Sequence, residues 1–344
     1  MITTKNIKFS TFLKMTGPYV LILFGIFTII TLLYYFEIIH VAIPWLPISI
    51  IATAVAFYVG FKNNQSYDRM WEARKIWGGI VNESRSLGMM IDGYISNDFV
   101  QTPFDTNELQ KIKQRLMYRH IAWLYAHRSQ LLIPTSWEHV SQGGKEARYA
   151  KEFQEKYGVG LVADEVTQNG LHHFLPPEEH DRLINHVNTA TQIINEQSRD
   201  LSQLRARGML DDFRHMQMMD VLRSFYTLQG KNERIKKFPL PRQYANISRY
   251  FVGIFIFLLP FGLIPELMKI EDYGIWLAIP ITVLVGWVYV MMEVVGDYSE
   301  NPFSGMAQDI PMMSLCRIIE IDLREMLGET DLPSPIQSVD GVLM

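Results

Sequence analysis

The chain has 344 residues, with 32 Lys and Arg against 36 Asp and Glu, a formal net charge of -4, and one cysteine, Cys316. A single cysteine excludes an intrachain disulfide and any metal site built on several thiolates. Length alone would admit two soluble domains, but the apolar residues pool in four runs, and that pooling excludes an ordinary soluble chain.

The first run, Met15 to Phe36, holds no Asp, Glu, Lys or Arg. It exceeds the roughly 20 apolar residues needed to cross a bilayer core. Lys5, Lys8 and Lys14 precede it, as they would in a secretory signal. The run is too long for one, however, and the "YYFEIIHVAIPW" that follows offers no small-residue cleavage site. The second run, Val41 to Phe61, is equally free of charge. Charge begins abruptly at Lys62, yet no proline or glycine pair interrupts the chain from Ala52 through Trp77. One helix is expected to pass through the junction, with Pro44 and Pro47 near its start, where proline is tolerated. Beyond the junction Met70, Trp77, Ile80, Val81, Ser84, Leu87, Gly88 and Ile91 recur at spacings of three and four.

Residues 62–246 are too many for a loop and read mostly as helix. A second helix is expected from Asn107 to Leu132, ended by "IPTSW". A long helical tract follows from Pro177 to Leu228, with Leu183, Val187, Ile194, Leu201 and Leu204 on its apolar face. Strand signals are scarce, apart from an isolated Asn169-Gly170 turn pair. The third apolar run, Tyr250 to Pro265, is bounded by Arg249 and Glu266, which can snorkel to an interface. The fourth spans Tyr273 to Met292. A turn-rich stretch, "EVVGDYSENPFSGMAQDIP", leads to an amphipathic helix carrying Cys316 as a core residue. From Thr330 the chain reads as loop.

The expected fold is an all-α membrane protein with four transmembrane helices and a helical cytoplasmic domain. Its expected parts are residues 1–61, 62–246, 247–295 and 296–344. Lys and Arg flank the N-terminal segment and both ends of the middle segment, whereas the 37–40 connection has none and the 266–272 turn has one Lys against three acids. The positive-inside rule then places both termini and the middle segment in the cytoplasm.

Little in the chain suggests covalent chemistry. "HHFLPPEEH" gathers His172, His173, Glu178, Glu179 and His180, but the spacing matches no zinc motif. Glu178 and Glu179 suit the first turn of a helix instead. No Gly-rich phosphate loop, nucleophile elbow or HExxH is present. The spans carry no ionisable group at their middles, as an ion-coupled transporter usually does, although Pro260 and Pro280 could kink two of them. Neither an enzyme, a cofactor, a bound metal nor a nucleic-acid partner is expected. Thr53, Phe57 and Phe61, four apart, share one helix face. That face reads either as the lining of a narrow apolar pore or as a lipid-facing or packing stripe.

"GFKNNQSYDRMWEARKIWG" resembles the signature of the bacterial branch of the bestrophin family. "NERIKKFPLPRQY", "FLLPFGLIPELM" and "SENPFSGMAQDIPMMSLCRIIEIDLREMLGE" follow in the family's order. The resemblance implies a homopentameric ion channel in a bacterial inner membrane, with five copies of the second span around the axis. The ions implied are small and monovalent, anions in some members and cations in others. The aromatic rings of Phe57 and Phe61 favour anions such as chloride, whereas the acidic total, including Asp297 and Glu300, favours cations. The neck then falls on Thr53, Phe57 and Phe61, where Thr53 replaces a larger aliphatic and widens the entrance. A second, cytoplasmic aperture falls near Met216, beside Met218 and Met219, which can equally be packing residues. Arg69, Glu72 and Arg74 are implied at the inner mouth, in salt bridges or shaping local ion concentration. Eukaryotic members hold calcium after their Asn-Pro-Phe. Here Asn301, Pro302 and Phe303 match, with Asn301 expected to cap or turn the chain, but only Asp309 follows as an acid. No calcium clasp is expected.

Overall fold

The computed structural model describes residues 1–6, 9–98, 100, 102–157, 170–270 and 273–344. Lys8, Asn169, Glu271 and Asp272 therefore lie outside the described residues. Among the described residues ten α-helices run in the order α1 (Phe9–Tyr35), α2 (Trp45–Tyr94), α3 (Thr106–Leu132), α4 (Gly144–Lys156), α5 (Pro177–Leu183), α6 (Thr189–Ala206), α7 (Asp212–Lys237), α8 (Arg242–Leu267), α9 (Gly274–Ser299) and α10 (Met312–Met326). Short 3-10 turns sit at His139–Ser141 and Leu171–His173. Among the described residues only isolated β-bridges join extended chain, such as Ile2 with Val342.

Four of these helices, α1, α2, α8 and α9, are long and apolar enough to cross a membrane. The helix through the charge junction is continuous. α2 runs 50 residues from Trp45 to Tyr94, about 75 Å at 1.5 Å per residue. The chain divides into two compact units, one of residues 4–69 and 239–301, the other of residues 1–3, 70–238 and 302–344. These boundaries fall beyond the ends of the apolar runs because α2 and α8 extend past them as helix.

In the first unit α9 packs against both α1 and α8. Its approach to α1 is close because position 286 is glycine. A Cβ there would stand 3.2 Å from the Phe27 ring, and Leu23 and Phe27 are buried in the seam. Outward residues of α1 such as Leu21, Phe24 and Ile29 are large, apolar and exposed, the surface a lipid solvent requires.

The second unit is built around α3, almost wholly buried from Leu116 to Leu132. Arg119 on α3 grips Glu179 through two bonds (2.6 and 2.9 Å) and donates to Asp200 at 2.8 Å, while Arg115 takes both oxygens of Asp200. One turn on, His120, Trp123 and His127 form a ring stack, with Trp77 of α2 lying on His127 and Phe225 of α7 against Trp123. Burial lowers the pKa of His120 to about 3 and that of His127 to about 4, so both rings are neutral at physiological pH. Cys316 is fully buried on α10, and burial pushes its thiol up to about 12. The tract expected to be one helical run from Pro177 is three helices. Val187 stands fully exposed in the break between α5 and α6, off the apolar face assigned to it.

Candidate functional site

Within the first unit α2 has two unlike faces. Ile48, Val55, Val59, Lys62 and Ser66 are buried, at heptad-like spacings. Ile50, Thr53, Phe57, Phe61, Asn64 and Asp68 are exposed on the other side. Phe57 and Phe61 expose 65% and 61% of their surface, as much as Phe257 on α8 does. The structure therefore brings Thr53, Phe57 and Phe61 onto one open face, as their spacing predicts.

Thr53 Oγ1 donates to the Ser49 carbonyl at 2.9 Å, closing the hydroxyl proton back onto its own helix. What the side chain presents outward is a pair of lone pairs and a methyl. It is a weak acceptor there, not a donor for a passing anion.

The buried side of α2 is pinned by polar contacts along the same stretch. Tyr289 donates its hydroxyl to the Ala52 carbonyl (3.1 Å), Tyr58 to the Tyr244 carbonyl (3.2 Å), and Asn63 Nδ2 to the Met292 carbonyl (2.9 Å). Lys62 Nζ reaches Glu293 Oε1 at 2.5 Å, and Ser248 Oγ of α8 lies 2.8 Å from the same oxygen. Asn63 lies so close to Gly296 that a Cβ there would collide with its amide oxygen. The face bearing the two phenylalanines is thus backed by a fixed one.

The sequence matches the family model of bacterial and fungal bestrophin proteins over residues 8–325. The chain is a bestrophin. It is similar to the voltage-dependent anion channel-forming protein YneE of Escherichia coli K12, at 25% identity over 290 residues, covering 84% of this chain and 79% of that protein. A voltage-dependent anion channel-forming protein of Ralstonia nicotianae is 26% identical over 301 residues, covering 85% and 83%. Among solved structures, a point variant of a bacterial bestrophin homologue from Klebsiella pneumoniae superposes with a TM-score of 0.72 at 22% identity, covering 92% of this chain and 98% of that one. At that identity the likeness speaks for the fold alone.

Elsewhere the bestrophin chain treats its marked residues differently. Arg69 donates Nε to the Glu300 carbonyl at 3.0 Å and not to a side-chain carboxylate in that bond. Glu72 pairs with Lys75 at 2.6 Å on the same helix, and hydrogen bonding to Lys75 holds its carboxyl below the ordinary range. Arg74 is half-buried. The three methionines of α7 part company. Met218 is fully buried and Met219 packs against the core, so both are packing residues, while Met216 is 64% exposed. Phe213, nearly one turn earlier, is 83% exposed, and nothing in the sequence distinguishes it from a buried aromatic.

At Asn301-Pro302-Phe303 the turn is held by a different residue from the one expected. Among the described residues Asn301 donates to Glu300 Oε1, at 3.3 Å, and its own oxygen has no partner. Asp309, fully buried, instead accepts the N–H groups of Phe303, Gly305 and Ile310 at 2.7–2.9 Å. That grip holds Phe303 at a φ of 70°, a left-handed backbone rare for a large residue. Burial raises the Asp309 carboxyl, opposed by the three N–H groups and by Lys236. Both its oxygens are committed to donors, the reverse of a cage offering six to eight oxygens to calcium. The residues present do not fit that ion, and among the described residues no group of three or more His, Cys, Asp and Glu could hold a metal. In the His-rich segment, Glu179 is spent on Arg119, and the His172 ring lies tilted against buried His180, with ring centroids 3.5 Å apart.

Proposed function

We propose that the chain forms a homopentameric ion channel in a bacterial plasma membrane, both termini cytoplasmic, passing small monovalent ions with a preference for anions. Five copies of α2 surround the axis, Phe57 and Phe61 form the narrow apolar neck, and Thr53 forms its wider mouth. Met216, with Phe213 beside it, lines the second aperture. No covalent step is involved. Ring edges carry partial positive charge, and an apolar constriction admits ions by controlling its own wetting.

The observation that carries the reading is the continuous open face of α2 bearing two exposed phenylalanines, backed by a pinned opposite face. Family membership and the names of the curated relatives point the same way. A cation-selective reading draws support from one observation. Thr53 turns lone pairs outward, and exposed Asn64 and Asp68 continue the face with oxygen acceptors.

The deciding measurement is the reversal potential of purified protein in planar bilayers under a salt gradient, for wild type and Phe57→Ala. Discrete currents whose conductance or selectivity changes with Phe57 are expected. Currents indifferent to Phe57, or a monomer in mild detergent, would overturn the reading.

A further inference from the structure

Lys62 follows Phe61 directly, yet none of its surface is exposed. Its ammonium and the Glu293 carboxylate meet at 2.5 Å, and Val59, three residues before Lys62, and Val252, four residues after Ser248, are buried in the apolar cluster of the same helices. Three helices converge there: α2 supplies Lys62, α9 Glu293 and α8 Ser248. Among the described residues, the second carboxylate oxygen, Oε2, has no hydrogen-bond partner. Such a pair is a poor choice for a mere fastening. Well-packed apolar residues of similar volume usually fasten helices at least as well, because two ions must first be stripped of water. Charges in so apolar a setting act over longer distances than charges in water, and salt screens them little.

Resting on the channel reading above, we propose that the Lys62–Glu293 pair sets ion selectivity by keeping the wall behind the Phe57–Phe61 neck electrically neutral. Balanced, the two charges leave the choice of ion to the rings. Alone, Lys62 would put a fixed positive charge behind each copy of the neck, and Glu293 alone would put a negative one there.

The two signs lead to opposite outcomes. Glu293→Gln keeps an oxygen facing Ser248 and leaves Lys62 unbalanced, so the anion-over-cation permeability ratio should rise. Lys62→Gln leaves Glu293 unbalanced, and the ratio should fall. A single charge about 10 Å from the ion in a medium of effective dielectric about 20 favours one ion more than tenfold and disfavours the opposite ion equally, so the ratio should change by more than about a hundredfold. Joining the two in Lys62→Gln/Glu293→Gln should return the reversal potential to the wild-type value, as should the exchanged pair Lys62→Glu/Glu293→Lys.

Reversal potentials in planar bilayers are read for all five proteins, each first checked for one symmetric peak on gel filtration. A fastening with no electrostatic role predicts shifts of the same sign in both single variants, or none, and either result overturns the inference while leaving the channel standing. Should a single variant fail to assemble, the two neutral pairs decide. Wild-type selectivity in both supports the inference, and a displaced reversal potential in either overturns it. Absence of current in wild type overturns the channel reading and this inference with it.

Discussion

Acid should destabilise the unit built around α3 before its carboxylates begin to titrate, and two histidines should account for it. His120 and His127 lie in the ring stack, with folded pKa values of about 3 and about 4. In an unfolded chain each would sit near 6.5. Above pH 6.5 neither state binds a proton at these rings, so they contribute no pH dependence. Below it the unfolded state takes up protons the folded state refuses, so stability falls with falling pH until the folded values are reached. Each ring costs about 1.4 kcal/mol per pH unit in that window. Between pH 6.5 and pH 5 the two together amount to about 4 kcal/mol, a large share of the 5–15 kcal/mol typical of a domain. The opposing pull of Glu233 on His127 is the smaller influence. The assay is denaturant unfolding in detergent at half-unit pH steps, comparing wild type with His120→Asn and His127→Gln. Each substitution should remove about half of the slope between pH 5 and 6.5. A wild-type slope that survives both substitutions would refute the assignment.

Three further outcomes are expected. Arg119→Leu strands Glu179 and weakens the hold on Asp200, and should cost about 3–5 kcal/mol in unfolding free energy. Arg119→Lys should recover only part of it, because an ammonium cannot reproduce the forked contacts. Gly88→Ala puts a Cβ 2.6 Å from Leu323 Cδ2 and Met326 Sδ, and should cost about 1–3 kcal/mol by overpacking, eased in the combination with Met326→Ala. Cys316, buried and with its thiol pushed up to about 12, should resist maleimide in the folded protein and react once denaturant is added. Labelling at equal rates in both conditions would contradict its burial.

The four spans are legible in the sequence because lipid demands apolarity on every side, and a helix that meets water on one face does not stay charge-free for that length. The unbroken α2 is legible for a related reason: nothing between Ala52 and Trp77 gives a helix cause to stop. What the sequence conceals is partnership at a distance. Lys62 reads as the start of a solvated stretch, but it is wholly buried because Glu293, 231 residues further on, arrives to neutralise it. Glu293 itself lies just past the end of the fourth charge-free run, where it reads as the start of a turn-rich stretch, whereas α9 continues through it to Ser299. The same blindness credits Asn301 with organising a turn that Asp309 holds, since which oxygen reaches the free N–H groups depends on how the chain closes. The methionines of α7 fail for a simpler reason. Positions 216, 218 and 219 cannot share one helix face, and composition does not say which of them points inward.

The open face of α2 also bears on biosynthesis. It carries Phe57 and Phe61, then Asn64, Gln65, Tyr67 and Asp68, all exposed in a single subunit. In a lone subunit the first part would meet lipid and the second water, and the proposed assembly replaces both solvents with neighbouring subunits. In the proposed pentamer, a subunit that has not met its neighbours would leave this face bare and open to membrane quality-control proteases. Supply of the assembled protein would be governed by how fast newly inserted chains find one another, and a co-expressed chain with a damaged α2 face would draw intact subunits into degradation with it.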